Sequence, residues 1–204
     1  MQLLNNRIFI KFISGGALKD NYDIGDGQKI YIDPSFNPEQ HSSVLAKVEE
    51  SGIDGIEAGD IVAVSYQVAF RYKVVGETRG YENEITLPDG REVFDVPFAL
   101  VIAVKKDDGY KAIGDYCLLK ENAITEAKTE SGLILPTLAV EAESKWCEAE
   151  FLSGDLDAEK GDIVMFEKPY RSEYEFDWNE KYLVIPKHYI LIKKIEDAEA
   201  DIAD

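Results

Sequence analysis

The sequence predicts an all-β protein built as two small β-barrels in tandem, with little helix. Three observations carry that expectation. Apolar residues alternate with others over short runs such as "RIFIKF" and "DIVAVSY", dense in β-branched and aromatic residues, while helical periodicity is weak everywhere. Gly and Pro punctuate these runs, as in small barrels that close their own edges. The chain also repeats itself. "EAGDIVAVSYQVAF" from Glu57 is answered by "EKGDIVMFEKPY" from Glu159, with E-x-G-D-I-V shared and an apolar, aromatic-ended run after it.

Taken in order, the first half opens with a strand in "NRIFIKF" from Asn6. A Gly- and Asp-rich lead from Ser14 to Gly27 follows, ending in "QKIYIDPSF". A calcium-loop reading of this lead fails. Counted from Asp20, Tyr22 falls at the third ligand position and Tyr31 where a bidentate Glu belongs, so no metal site is expected. "SSVLAKV" from Ser42 fits the repeat better as a middle strand than as the helical turn its upstream Pro would allow. After the GDIV strand comes an insertion, Arg71 to Val93, whose "LPDGRE" is a turn signal between two alternating runs and predicts a protruding hairpin. "FDVPFALVIAVKK" from Phe94 closes the half.

The second half repeats the order, with "GDYCLLK" from Gly114, "SKWCEAEFL" from Ser144, the second GDIV strand, and "LVIPKHYILIKK" from Leu183. Both closing segments place Pro in an apolar run and end in Lys-Lys. The charge run and glycines of "KKDDGYKAIG", Lys105 to Gly114, mark the boundary, giving one barrel in residues 1–109 and another in 110–204. Tyr174, Phe176 and Trp178 alternate like one face of a strand, turned to a core or an interface. Between the first two strands of this half lies "ESGLILP", Glu130 to Pro136. On its own residues, the triplet Leu133, Ile134 and Leu135 is either a short buried strand or the sticky tip of a loop.

Composition narrows the functions. The 204 residues hold 45% hydrophobic side chains, enough for a real core in one or two domains. A formal charge of -18 repels a phosphate backbone, so nucleic acid is not an expected partner. No run of about eighteen apolar residues exists and no secretion signal opens the chain; no membrane association is expected, and the protein is expected to be soluble and cytoplasmic. Cys117 and Cys147 lack metal or redox spacing and read as buried thiols. His41 and His188 are isolated, and 40 acidic residues make chance carboxylate pairs inevitable. No catalytic residue, metal ligand or cofactor is therefore assigned.

In this order and spacing, "DYCLLK", "SGLILP", "EKGDIVMFEKPY" and "EKYLVIPKHYILIKK" make the second half resemble a GroES-type co-chaperonin of the ten-kilodalton chaperonin family, over nearly all of Gly114 to Asp197. The first half repeats three of the four. The resemblance implies two GroES-like barrels and a protein that caps a large GroEL-type barrel chaperonin and assists ATP-dependent folding. It further implies that Leu133, Ile134 and Leu135 form the loop tip that inserts into a hydrophobic groove of the chaperonin. It implies a homo-oligomeric ring as well, with Tyr116 to Leu119 and Tyr189 to Ile192 at the contacts between units. The residues agree with a loop: "KENAITEAKTES" offers little to a core. Burying three aliphatic side chains contributes on the order of 5 to 8 kcal/mol, while ordering about ten loop residues costs roughly 1 to 2 kcal/mol each. One loop alone should bind poorly, and several presented together should bind well.

The sequence departs from the family in three places. Ile30, Tyr31 and Ile32 stand where the first half's tip should be, either as a weaker docking tip or as a strand with Ile30 and Ile32 facing the core. The segments "EESGIDGIEAGD" and "SGDLDAEKGD" are too short for the family's roof hairpin. The catalytic use of a GroES-like barrel, in medium-chain alcohol dehydrogenases, needs a nucleotide-binding G-x-G-x-x-G and zinc ligands that are not found here. The remaining rival is a binding or structural module, a virion or scaffold component, that keeps the barrel and has lost chaperonin contact.

Overall fold

A computed structural model describes residues 6–14, 16–19, 21–31, 33, 41–75, 78–121, 146–167, 172–177 and 180–194. The chain divides into two compact units, Met1–Gly114 with Glu175–Trp178, and Asp115–Tyr174 with Asn179–Asp204. The strands in order begin with β1 (Arg7–Phe12), β2 (Asn21–Gly25), β3 (Gln28–Tyr31), β4 (Leu45–Ser51) and β5 (Ile61–Val64). A single helical turn, α1 (Gln67–Phe70), precedes β6 (Tyr72–Val75), β7 (Thr78–Tyr81), β8 (Glu84–Thr86), β9 (Glu92–Pro97), β10 (Val101–Lys106) and β11 (Gly109–Ala112). The second half contributes β12 (Tyr116–Glu121), β13 (Trp146–Gly154), β14 (Ile163–Glu167), β15 (Glu173–Asp177), β16 (Glu180–Pro186) and β17 (Ile190–Lys194). The fold is all-β, as the sequence predicts.

The first sheet runs β11-β10-β5-β4-β1-β9-β8 and the second β15-β16-β12-β13-β14-β17. Read from β10 to β8 and from β17 to β15, the two orders match strand for strand. Each sheet must also curl. β9 and β10 stand four strand spacings apart in the order, about 19 Å if the sheet were flat, yet only the 3₁₀ turn Phe98–Leu100 joins them. The four Cα steps from Pro97 to Val101 reach about 14 Å at most. β16 and β17, joined by Lys187–Tyr189, meet the same constraint. The cores reflect the curl. Ile8, Ile10, Val48, Val64, Phe94 and Val101 from five strands fall in one cluster. Cys117, Leu119, Phe151, Phe166, Leu183 and Ile190 do so in the other.

The register within each sheet is the same residue by residue. Ile10 faces Val48 and Phe94, as Leu119 faces Phe151 and Leu183. A β-bulge interrupts β1–β4 at Glu49 and β12–β13 at Leu152. The E-x-G-D motif explains itself in both copies. Asp60 Oδ2 accepts from the Glu57 amide at 3.0 Å and Asp162 Oδ2 from the Glu159 amide at 2.6 Å. Gly59 (φ 98°) and Gly161 (φ 103°) take the left-handed turn that brings their amides to the carbonyls of Val48 and Phe151, both at 2.8 Å. The chain between β4 and β5, and between β13 and β14, holds no strand among the described residues.

The insertion after the first signature strand forms two hairpins. β6 pairs with β7, and β8 pairs with β9 around the turn at Leu87–Arg91. Leu87 and Val93 pack on Phe9 and cover the outer face of β1. Arg91 reaches the bulge region, bridging Glu49 at 3.1 Å and Glu50 at 3.0 Å as well as Asp89. Lys105 to Gly114 contains the end of β10, a turn at Gly109 and β11, which hydrogen-bonds back on β10. Tyr174 and Phe176 are buried. Trp178 lies outside the described residues.

Candidate docking site

The connectors between the first two core strands of each unit carry the candidate docking residues. In the second unit this connector runs from β12 to β13, and Leu133, Ile134 and Leu135 lie outside the described residues. In the first unit it runs from β1 to β4, and most of it is described.

That connector begins as a fixed stem. Ala17 and Leu18 are buried, the Ser43 amide donates to the Ala17 carbonyl at 2.8 Å, and the Lys19 amide donates to His41 at the same distance. Ser43 Oγ donates to the Gly16 carbonyl at 2.7 Å and lies against Ser14 Oγ. Beyond the stem stands the β2–β3 hairpin. Gly25 pairs with Gln28, leaving Asp26 and Gly27 as a two-residue loop. Their φ values of 52° and 73° are the left-handed pair of a type I′ turn, which matches the twist of the strands it joins.

Every residue of β3 is exposed. Ile30 is 51% exposed, Tyr31 75%, and Ile24 at the end of β2 is 56%. Ile30 faces Tyr22 across the hairpin and Tyr31 faces Asn21, so Ile30 and Tyr31 point to opposite faces and neither is covered. Of the two readings of this segment, a strand with Ile30 turned to the core does not hold. Ile32 lies outside the described residues. The hairpin was legible in "GDGQ", whose Asp-Gly between short alternating runs is a strong turn signal.

The expected unit contacts fare differently from one another. Tyr116 to Leu119 cannot pair with another chain through the backbone, because β12 lies inside its sheet with β13 on one side and β16 on the other. Tyr189 and Ile190 begin β17 or precede it, and β17 ends its sheet among the described residues, with Leu191 exposed. The equivalent strand β10 carries β11 on that outer edge.

Electrostatics around these strands are structural. The Lys187 ammonium sits 2.8 Å from Asp155 and 3.2 Å from Asp115, and its own pKa is raised by those hydrogen bonds. The hydrogen bond from Lys187 holds Asp155 below the usual carboxylate range. Burial pushes the Cys117 thiol up to about 11. The His188 and Tyr189 rings meet at a tilt of 47°, with 4.1 Å between ring centres. Among the described residues, no cluster of His, Cys, Asp and Glu has the grouping of a metal site, and no helix is long and apolar enough to cross a membrane.

Residues 109–193 match the family model described as Chaperonin 10 Kd subunit. The match begins at β11 and ends within β17, so it takes in every strand of the second sheet up to Lys193. No curated protein matches the chain.

Proposed function

Residues 109–193 belong to the chaperonin 10 Kd family, and from that premise we propose that the chain is a co-chaperonin of the cytoplasm that caps a large GroEL-type chaperonin and assists ATP-dependent protein folding. The family match over the strands of the second sheet, whose order and internal register the first sheet repeats, carries the reading. In it the chain is a tandem of two GroES-like units, residues 1–109 and 110–204, and its role is one of binding rather than catalysis. Leu133, Ile134 and Leu135 are the apolar tip that enters the chaperonin groove.

A ring of chains follows from the energetics. A single tip gains too little from burial to offset the ordering of its loop, whereas tips held together raise one another's effective concentration. Strand edges support the same reading. β10 has its outer edge occupied by β11, while its counterpart β17 ends its sheet among the described residues, so we place the contact between chains on the β17 edge, at Tyr189 to Ile192.

The test is co-elution of the purified chain with a large barrel chaperonin on a sizing column, with and without ATP or ADP. Nucleotide-dependent co-elution, abolished by the Leu133→Asp, Ile134→Asp double variant, is the expected result. Absence of co-elution with the native chaperonin under every nucleotide condition would sink the reading and leave a structural module.

A further inference from the structure

We propose that Asp26, at the tip of the β2–β3 hairpin, is a modification site, where the link to Gly27 rearranges spontaneously to an isoaspartyl bond, the substrate of a carboxyl methyltransferase that acts on isoaspartate. The inference stands apart from the co-chaperonin reading.

The chemistry is a ring closure followed by hydrolysis. The Gly27 amide nitrogen attacks Asp26 Cγ, an N–Cγ bond forms, and the carboxyl hydroxyl leaves as water with the amide proton. A water molecule then opens the cyclic imide at the former main-chain carbonyl, breaking that carbon's bond to nitrogen. The chain now runs through Cβ and Cγ, the former main-chain carbonyl is a free carboxylate, and no atom has been oxidised or reduced. Glycine favours the closure because it places no Cβ beside the attacking nitrogen.

The sequence holds four Asp-Gly pairs, beginning at Asp26, Asp54, Asp89 and Asp108, and the fold sorts them. Asp89 is held twice. Its carboxylate accepts from the Arg91 amide at 3.0 Å and from Arg91 Nε at 2.7 Å, bonds that keep it below the usual carboxylate range, and the Gly90 amide donates to the Leu87 carbonyl at 2.9 Å. Asp108 pairs with Lys111 at 3.3 Å, and Gly109 already belongs to the ladder opposite Lys106. Asp54 and Gly55 sit between Ile53 and Ile56, whose buried side chains pin the turn from both sides. At Asp26 none of these restraints applies. From Ile24 to Tyr31 every residue is exposed. Gly25 and Gln28 close the ladder, so the Gly27 amide lies inside the loop, and neither it nor the Asp26 carboxylate has a hydrogen-bond partner among the described residues. A two-stranded hairpin with no buried side chain at its tip loosens at little cost, which lets the nitrogen reach Cγ.

The product would reshape the hairpin. Its two-residue loop gains a backbone carbon, whereas the type I′ turn that sets Tyr22 opposite Ile30 and Asp23 opposite Lys29 is built for two ordinary residues.

The test incubates the folded chain in warm neutral buffer made with heavy-oxygen water, so that each imide takes up a labelled oxygen as it opens. Peptide mass spectrometry follows the four sites and separates aspartyl from isoaspartyl peptides by retention. A parallel incubation in urea removes the fold. Label and isoaspartyl product should appear first at Asp26, roughly tenfold faster than at Asp89, where an exposed ion pair and a backbone hydrogen bond must both be released. In urea the four sites should draw level. A purified isoaspartyl methyltransferase with labelled S-adenosylmethionine should then methylate the aged chain at the Asp26 peptide. If Asp26 in the folded chain converts no faster than the other three, or not at all, the inference fails. An order of sites that urea leaves unchanged would trace it to flanking residues and overturn the argument from the fold.

Discussion

Gly154 ends β13 directly opposite Cys117, and the second unit leaves no room there for a side chain. A Cβ at Gly154 would stand 2.5 Å from Cys117 Sγ and 3.0 Å from Cys117 Cα, well inside van der Waals contact, and the residue has φ 152°. Gly154→Ala therefore overpacks a site whose floor is backbone, at a cost of about 1–3 kcal/mol, with up to about 1 kcal/mol more for a conformation that favours glycine. Urea unfolding, followed by circular dichroism, should show a drop of about 1–4 kcal/mol in the transition of the second unit with little change in its slope. Cys117→Gly, combined with Gly154→Ala, removes Sγ and Cβ from the clash. The double variant should therefore lose less than the sum of the two single losses. The first unit supplies a contrast, since Ser51 stands opposite Ile8 in the corresponding register and does carry a side chain. A loss below about 0.5 kcal/mol for Gly154→Ala, the spread of an ordinary surface substitution, would refute the reasoning.

Two further outcomes concern Cys117 and Asp60. Cys117 is buried and its thiol is pushed up to about 11, so at pH 8 an alkylating reagent should modify the half-buried Cys147 and spare Cys117 until urea unfolds the chain, as peptide mass spectrometry would record. Burial works to raise the Asp60 pKa, but hydrogen bonds from Lys106 and the Glu57 amide lower it below its ordinary value overall. Because the folded value is the depressed one, this contribution to stability is present above the unfolded carboxylate pKa and is lost as pH falls through the folded value. Asp60→Asn should then be less stable than the natural chain at pH 6, and urea midpoints should converge as both are brought to pH 3.

Much of this fold was readable because the sequence states it twice. One E-x-G-D-I-V would be a weak turn signal. Two of them, each with a strand before and a Pro-containing strand after, fix the order of five strands, and the paired bonds of Asp60 and Asp162 supply the reason the motif is spelled that way. Alternation also placed the core, since Ile8, Ile10 and Phe12 point inward on β1 while Lys11 points out. What escaped was pairing between segments that carry no periodic signal. Lys105 to Gly114 reads as a charged boundary, yet Tyr110 and Ala112 alternate just enough to lay β11 on β10. β12 was expected at an outer contact because it opens its half, but an opening strand can sit in the middle of a sheet when later strands add on both sides of it. The hairpin at Ile30 was hard to read because β3 buries none of its side chains and so shows no core-facing alternation, although Asp26–Gly27 carried the turn.

That placement of β1 bears on how the chain is made. Its partner β9 comes late, as the ion pair between Arg7 and Asp95, 88 positions apart, illustrates. While the ribosome is still adding the segment between them, β1 has only β4 to pair with and its other edge stays open. Long-range closure of this kind is slow and exposes strand edges while it waits. β12 leaves the ribosome soon after β9 and asks for a partner of the same shape, β16, that has not been made. Strand exchange between the halves is the characteristic hazard of such repeats. The core residues at matching positions differ in size, Ile8 against Cys117 and Val48 against Phe151, so a swapped strand would pack poorly in either core. Sequence divergence between the halves would in this way help each strand find its own sheet during synthesis.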